Sequence, residues 1–384
     1  MSSKNNQLQS LTSPPGTYSS GTKNKVAKIT KKSRPKDANY KQKLIDNGVY
    51  PYRYKPNGNI PPLPPNWEEI NRRLTQRRPS LSSSRFPNDD YQKFIDADAE
   101  TCNVKEDEVR EDEVKDSVIP AMLRVMGSLP SGTKKNILFT NIDPMAAGIS
   151  QAKPDYYDGA QPEQIHPEVR AELSNHIIPS NHAHLPAVPN FVLETKGPSG
   201  SWFEASQQAC HNGAIGARAM QSLRTYRQDE PVCGNNIHSI SSIYHCGTLK
   251  MYGHSVAQPK GPETRQEYYM HQLGAWAMTG STNNFNEGAT AFKNASDIAK
   301  EYRDSAIARV NEIAAQNSQA EDDDNKDKDE GDVEEDVDEG GVEEDVDEGD
   351  VEEDTDEGDV EEDADEGDVE GDADEGDVEG DMIV

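Results

Sequence analysis

"VPNFVLETKGPSG", residues 188–200, decides the fold. Phe191 to Leu193 is a short apolar run that delivers Glu194, Thr195 and Lys196 and then stops at Gly197-Pro198. Proline lacks an N–H and Gly-Pro punctuates extended chain, so the run reads as a buried strand ending in a turn. Side chains alternate along a strand, which sends Glu194 and Lys196 to one side of the sheet and Thr195 to the other. A carboxylate and an ammonium so placed form either a surface ion pair of little energy or a chemical site.

Outward from this strand the pattern is mixed. "SWFEASQQACHNGAIGARAMQSLRTYR" (201–227) reads as a long Ala-rich helix with Ser201 as its N-cap and Glu204 three residues on. "EDEVREDEVKDSVIPAMLRVMG" (106–127) spaces Val114, Val118, Met122 and Val125 at helical intervals, and Glu111 shares that stripe. "KKNILFTNI" (134–142) reads as a strand and "HPEVRAELSNHI" (166–177) as a short helix in a loop-rich stretch. "NIHSISSIYHCGTLKMYGHSVA" (236–257) predicts two strands around a Cys246-Gly247 turn. "EYYMHQLGAWAMTG" (267–280) and "NFNEGATAFKNASDIAKEYRDSAIARVNEIA" (284–314) are read as closing helices. This order predicts an α/β domain over residues 91–318, a small mixed central sheet flanked by helices.

Charge divides the rest. From Ala320 onward there are 38 Asp and Glu against two Lys, so the overall net charge of −32 belongs to this tail and the remainder carries a net +4. Asp-Glu-Gly recurs in it every nine residues from Asp329 to Asp374. Dense like charge with so few apolar residues cannot offset the entropy of ordering, which predicts disorder over 319–384. Such a tail is either unselected repeat expansion or an element that binds basic proteins or competes with nucleic acid for the protein's own basic arm. Residues 1–90 hold 17 Lys and Arg against six acids, with many Ser and Pro, and are read as a disordered basic region. Lys31-Lys32-Ser33-Arg34 within it reads as a nuclear-import or phosphate-contacting segment, or as a solvated linker.

Other classes find little support. The polar first 20 residues do not resemble a secretory signal, and no apolar run approaches the length of about 20 that spans a bilayer, so a nuclear or cytoplasmic protein is expected. Cys102, Cys210, Cys233 and Cys246 show no paired spacing and are expected to be reduced thiols. His182-Ala183-His184, Cys210-His211 and His245-Cys246 lack zinc-finger spacing.

"AKPDYYDGA" (152–160) puts Pro154-Asp155 at a strand start before the Glu-Thr-Lys strand, in the order helix, strand, strand, helix. Over roughly residues 104–255 this resembles the PD-(D/E)XK nuclease superfamily. The resemblance implies a restriction-endonuclease-like fold and a Mg²⁺- or Mn²⁺-dependent site that hydrolyses phosphodiesters. Asp155 and Glu194, with the Thr195 backbone carbonyl, would hold the metal; Lys196 would orient the attacking water and offset charge on phosphorus. Glu111 corresponds to an acid that many members carry on the first helix. Gln208, with Gln207 as its rival, corresponds to a glutamine near the metal-bound water. The gap between Asp155 and Glu194 is long for that superfamily, and Asp158 replaces Asp155 if the register differs by three.

"PNFVLETKGPSGSWFEASQQACHNGAIGARAMQSL" (189–223), "IYHCGTLKMYGHSVAQP" (243–259) and the 267–305 stretch also resemble a large family of uncharacterised filamentous-fungal proteins that carry a domain of unknown function. Three functional classes stand at this point: a metal-dependent nuclease whose basic arm contacts phosphates, a non-catalytic nucleic-acid or chromatin module on the same fold, and an acidic-tail scaffold or chaperone.

Overall fold

The computed structural model describes residues 31–79, 88–103, 114–125, 132–229, 232–258 and 265–329. Seven strands form one mixed sheet: β1 (Val49–Tyr50), β2 (Thr133–Lys135), β3 (Tyr156–Ala160), β4 (Ala187–Lys196), β5 (Gly234–His245), β6 (Thr248–Ala257) and β7 (Glu267–Ala277). Their order across the sheet is β1-β7-β6-β5-β4-β3-β2. β4 pairs parallel with β5 and β1 parallel with β7; the other neighbours are antiparallel.

Among the described residues eight α-helices accompany the sheet: α1 (Tyr40–Asp46), α2 (Trp67–Leu74), α3 (Asn88–Asn103), α4 (Ile119–Val125), α5 (Pro167–Glu172), α6 (Ser174–Ile177), α7 (Trp202–Arg224) and α8 (Thr282–Asp329). A π-helical turn, Val114–Val118, leads into α4. α2, α3, α4 and the first half of α8 cover one face, where Phe94, Met122, Phe285 and Phe292 meet Phe191, Leu193, Ile240 and Tyr244. α1 and α7 cover the other, where Tyr40, Ala209 and Ala214 meet Val192, Ile243 and Tyr252. A third cluster joins α5, α6, the end of α7 and the middle of α8 around Val188. None of the helices among the described residues is long and apolar enough to cross a membrane.

The α/β class with helices on both faces agrees with the sequence reading, but the sheet is larger than expected. Residues 267–277 form a strand, not a helix, pairing with β6 from Ala257↔Glu267 to Thr248↔Ala277. Tyr268 to His271 lie between β1 and β6 and are buried without a break, so their burial has no period of two, and the Ala-Trp-Ala-Met run imitates a helix. The strand expected over 134–142 ends at Lys135, because Asn136 takes a left-handed φ of 58° and turns the chain out of the sheet.

The reading of residues 1–90 as a disordered arm does not hold for 31–79. α1 and α2 each contribute two fully buried side chains, Tyr40 with Leu44 and Ile70 with Leu74, and β1 adds an edge strand. Each helix is only two turns long with three apolar residues, Tyr40, Leu44 and Ile45 in α1 and Trp67, Ile70 and Leu74 in α2, too short a pattern to stand out among polar and Pro-rich flanks, though spacing by four puts each buried pair on one face. Residues 1–30 and the repeats from Glu330 onward lie outside the described residues.

Candidate active site at the end of β4

All ten residues of β4 are buried. Phe191 and Leu193 pack on the α8 side and Val192 on the α7 side, so strand parity carries Glu194 and Lys196 to the α7 side. Glu194 is 0 % exposed and Lys196 3 %. The amide Nδ2 of Asn212, on α7, donates to Glu194 Oε1. The turn after the strand closes with Gly200 N–H donating to the Gly197 carbonyl, and a Cβ on Gly200 would lie 2.8 Å from Cβ of Lys196. Glycine therefore lets the Gly-Pro-Ser-Gly turn fold tightly back over Lys196. Ser201 Oγ then accepts from Glu204 N–H and starts α7.

The pairing Tyr156↔Leu193 and Tyr157↔Val192 brings Asp155, one step earlier, level with Glu194. Asp155 is 4 % exposed, and its Oδ2 accepts from the backbone N–H of Thr195 at 2.7 Å and from the Thr195 hydroxyl at 2.8 Å. Asp158 goes elsewhere. Its Oδ2 accepts from Arg303 on α8 at 2.8 Å, in an ion pair whose side chains are 1 % and 2 % exposed. The register thus joins Asp155, and not Asp158, to the Glu-Thr-Lys strand. Glu111 lies outside the described residues.

α7 presents Glu204, Gln208, His211 and Asn212 to a cavity of about 350 Å³, a spacing of four, three and one that repeats the helical turn. Gln208 is half-buried there, while its rival Gln207 is buried and does not line the cavity. His211 is 3 % exposed and its Nδ1 shares a 2.7 Å hydrogen bond with the Tyr40 hydroxyl. Burial, and secondarily Arg218, pushes the His211 pKa down to about 3, so the ring is neutral at ordinary pH. Burial also raises the Tyr40 phenol and pushes the Cys210 thiol up to about 12, which rules that thiol out as a nucleophile. Asn212 and His211 are functional candidates that the strand-based reading did not assign; their shared helix face with Gln208 was the available signal.

A search of protein families matches residues 103–314, more than half of the chain, to the family described as Domain of unknown function (DUF7924). The chain belongs to this family. Neither the curated proteins nor the solved structures include a match. The DUF7924 region contains β2 to β7 and every residue of the β4 cluster; α1, β1 and α2 precede it.

The donor set of the DUF7924 site suits a hard divalent cation. Asp155 and Glu194 provide buried carboxylate oxygens at adjacent strands, where like charges raise each other's energy until a cation joins them. Among the described residues no group of three or more His, Cys, Asp or Glu is arranged to hold a metal. An ion here would take two carboxylates and complete its shell with backbone carbonyl and water oxygens, as magnesium does. His182 and His184 lie 6.0 Å apart on the surface with their rings tilted by 42°, and belong to no such group among the described residues.

Proposed function

We propose that this protein is a metal-dependent phosphodiesterase acting on nucleic acid, with the PD-(D/E)XK arrangement and its restriction-endonuclease-like core. One observation carries the reading: β3 pairs with β4 in the register that ties Asp155 to Thr195, between Glu194 and Lys196, while Asp158 is committed to Arg303. The connections support it as well. β2, β3 and β4 form an antiparallel meander, and α7 then leads to β5, which pairs parallel with β4.

In this reading Asp155, Glu194 and the Thr195 carbonyl hold Mg²⁺ or Mn²⁺, which supplies positive charge against the phosphodiester oxygens. Lys196 is a compact ammonium on the same strand face as Glu194; it orients a water for attack and stabilises charge developing on the phosphoryl group. Asn212 fixes the Glu194 carboxylate by donating to Oε1, which leaves that carboxylate pre-oriented. Gln208 lies one helical turn before Asn212 and faces the cavity.

The test is magnesium and manganese titration of the full chain by calorimetry, with cleavage of plasmid and single-stranded substrates by the same samples. Binding and cutting should both be lost in Asp155→Asn and Glu194→Gln proteins. Failure of the folded wild-type chain to bind either metal overturns the proposal. The bonds from Thr195 to Asp155 and from Asn212 to Glu194 are equally suited to a non-catalytic nucleic-acid module, and that is the reading to which such a failure would lead. Nothing within the described residues supports the acidic-tail scaffold.

A further inference from the structure

The basic segment that precedes the DUF7924 region is folded onto it. Ser33 N–H donates to the Gly148 carbonyl at 2.9 Å and Ser150 N–H donates to the Ser33 carbonyl at 2.7 Å, a parallel bridge of Ser33 with Ile149. Asp37 Oδ2 accepts from Arg34 N–H and fixes the turn into α1. This holds Arg34 and Lys36 at the edge of the 350 Å³ cavity, opposite Lys153 and the polar face of α7. Its charged lining is three cations against one carboxylate, Glu204.

A second feature also points to an anion. His211 Nε2 is buried and has no hydrogen-bond partner among the described residues. In the tautomer in which the Tyr40 hydroxyl donates to Nδ1, the ring carries its proton on Nε2. A buried N–H without an acceptor costs free energy that an oxyanion would recover. Asn212, which holds Glu194, shares this lining, and Lys153 lies two residues before Asp155.

We propose that this cavity is a phosphate subsite for a nucleic-acid strand, in which Arg34, Lys36 and Lys153 contact a phosphate neighbouring the one at Asp155 and Glu194, with His211 Nε2–H as a neutral donor. It rests on the reading that the substrate is a polynucleotide and adds where the strand is held. Residues 33–36 are thus a wall of the site, contributed from outside the family region.

The test is fluorescence anisotropy of a labelled oligonucleotide, single-stranded and duplex, titrated with the full chain in EDTA so that cleavage plays no part. Arg34→Ala/Lys36→Ala/Lys153→Ala is compared with Lys55→Ala/Lys93→Ala/Lys300→Ala, an equal loss of exposed charge outside the cavity. The cavity variant should weaken binding at least about ten-fold and lower the salt dependence by up to about three phosphate contacts, while the second variant stays within about two-fold. Equal losses in both variants, or no binding by the wild type, overturn the proposal. Displacement of the strand by inorganic phosphate as effectively as by unlabelled strand would assign the cavity to a free anion and also overturn it. The two proposals separate cleanly: cavity-dependent binding without metal-dependent cleavage keeps the subsite and discards the nuclease. Cleavage unaffected by the cavity variant does the reverse.

Discussion

β3 and β4 bury charge on both faces of the same strand pair, and the two faces treat it differently. On the α8 face Arg303 donates to Asp158 Oδ2 at 2.8 Å and to Asn190 Oδ1 at 2.7 Å, and Thr133 donates to the other oxygen of Asp158. One cation meets one anion and neutral groups share their hydrogen bonds, with Arg303 Nε alone of these atoms left buried without a partner among the described residues. On the α7 face Glu194 and Lys196 lie at the end of β4 with Asp155 beside them on β3, and the donors to the acids include the neutral groups of Thr195 and Asn212. The first arrangement pairs one anion with one cation and ties α8 to the sheet. The second gathers three buried charged groups at a strand end beside Asn212, which lines the cavity.

The largest expected effect lies on the balanced side. Arg303→Met strands Asp158 in a low-dielectric interior and should cost about 3–5 kcal/mol, read as a lower urea midpoint with unchanged slope. The Arg303→Met/Asp158→Leu double variant should recover most of that loss, because the penalty comes from the uncompensated charge. If the single variant is as stable as the wild type, the contrast between the faces fails at its first step.

Acid should then act on the α7 face. His211 lies on α7 and His254 packs against it; burial lowers both rings to about 3, with Arg218 and His271 respectively as lesser causes. Their folded pKa values lie below the unfolded value of about 6.5, so the unfolded chain binds protons first as pH falls. Stability from these rings is complete above pH 6.5 and declines as pH drops through 6.5 toward 3. Between pH 6.5 and 5 the loss is about 2 kcal/mol per ring at most. Denaturation curves at pH 7 and 5 check it, and His254→Gln should flatten the difference by roughly the share of one ring.

How much of this was legible in the sequence follows from period. The Glu-Thr-Lys strand could be read because parity over three residues suffices to place two side chains together, and Pro-Asp marked the start of its partner. The choice between Asp155 and Asp158 was not legible, since it depends on pairing across a 26-residue connection between β3 and β4. Asn212 and His211 were passed over because polar residues on a helix normally face water. Here α7 is buried on nearly all sides, between the sheet, α1 and the middle of α8, so its polar face lines a cavity. β7 and the elements between residues 40 and 74 were missed for opposite reasons, continuous burial in one and too short an apolar pattern in the others.

A smaller effect probes how closely α7 is seated. A Cβ on Gly213 would meet the His254 ring at 2.0–2.3 Å, and that ring is held by a 2.7 Å bond between Ser241 Oγ and Nε2. Gly213→Ala gains about 1 kcal/mol of helix propensity but overpacks by about 1–3, a net loss of up to about 2. Since Gly213 follows Asn212, the same substitution should move the donor from Glu194 and reduce metal binding more than stability. A thermal melt and a magnesium titration on one preparation compare the two; a stabilised protein would mean that the helix has room to shift.

The smallest expected change in stability is the sharpest test of the comparison. Glu194→Gln keeps the size of the side chain and an oxygen that Asn212 can donate to, while removing one negative charge from a buried strand end that also holds Asp155 and Lys196. Its loss of the charge-assisted hydrogen bond, about 1.5–3 kcal/mol, is opposed by relief of repulsion from Asp155 and of the burial penalty, so the net should lie within about 1 kcal/mol of zero. Asp158→Asn on the other face leaves Arg303 without its anion and should lose about 3 kcal/mol or more. Urea denaturation of the two isosteric variants, side by side without metal, measures the difference. Equal destabilisation would mean that both carboxylates serve architecture. A neutral or stabilising Glu194→Gln would mean that this carboxylate is retained at the expense of stability, the signature of a group kept for chemistry.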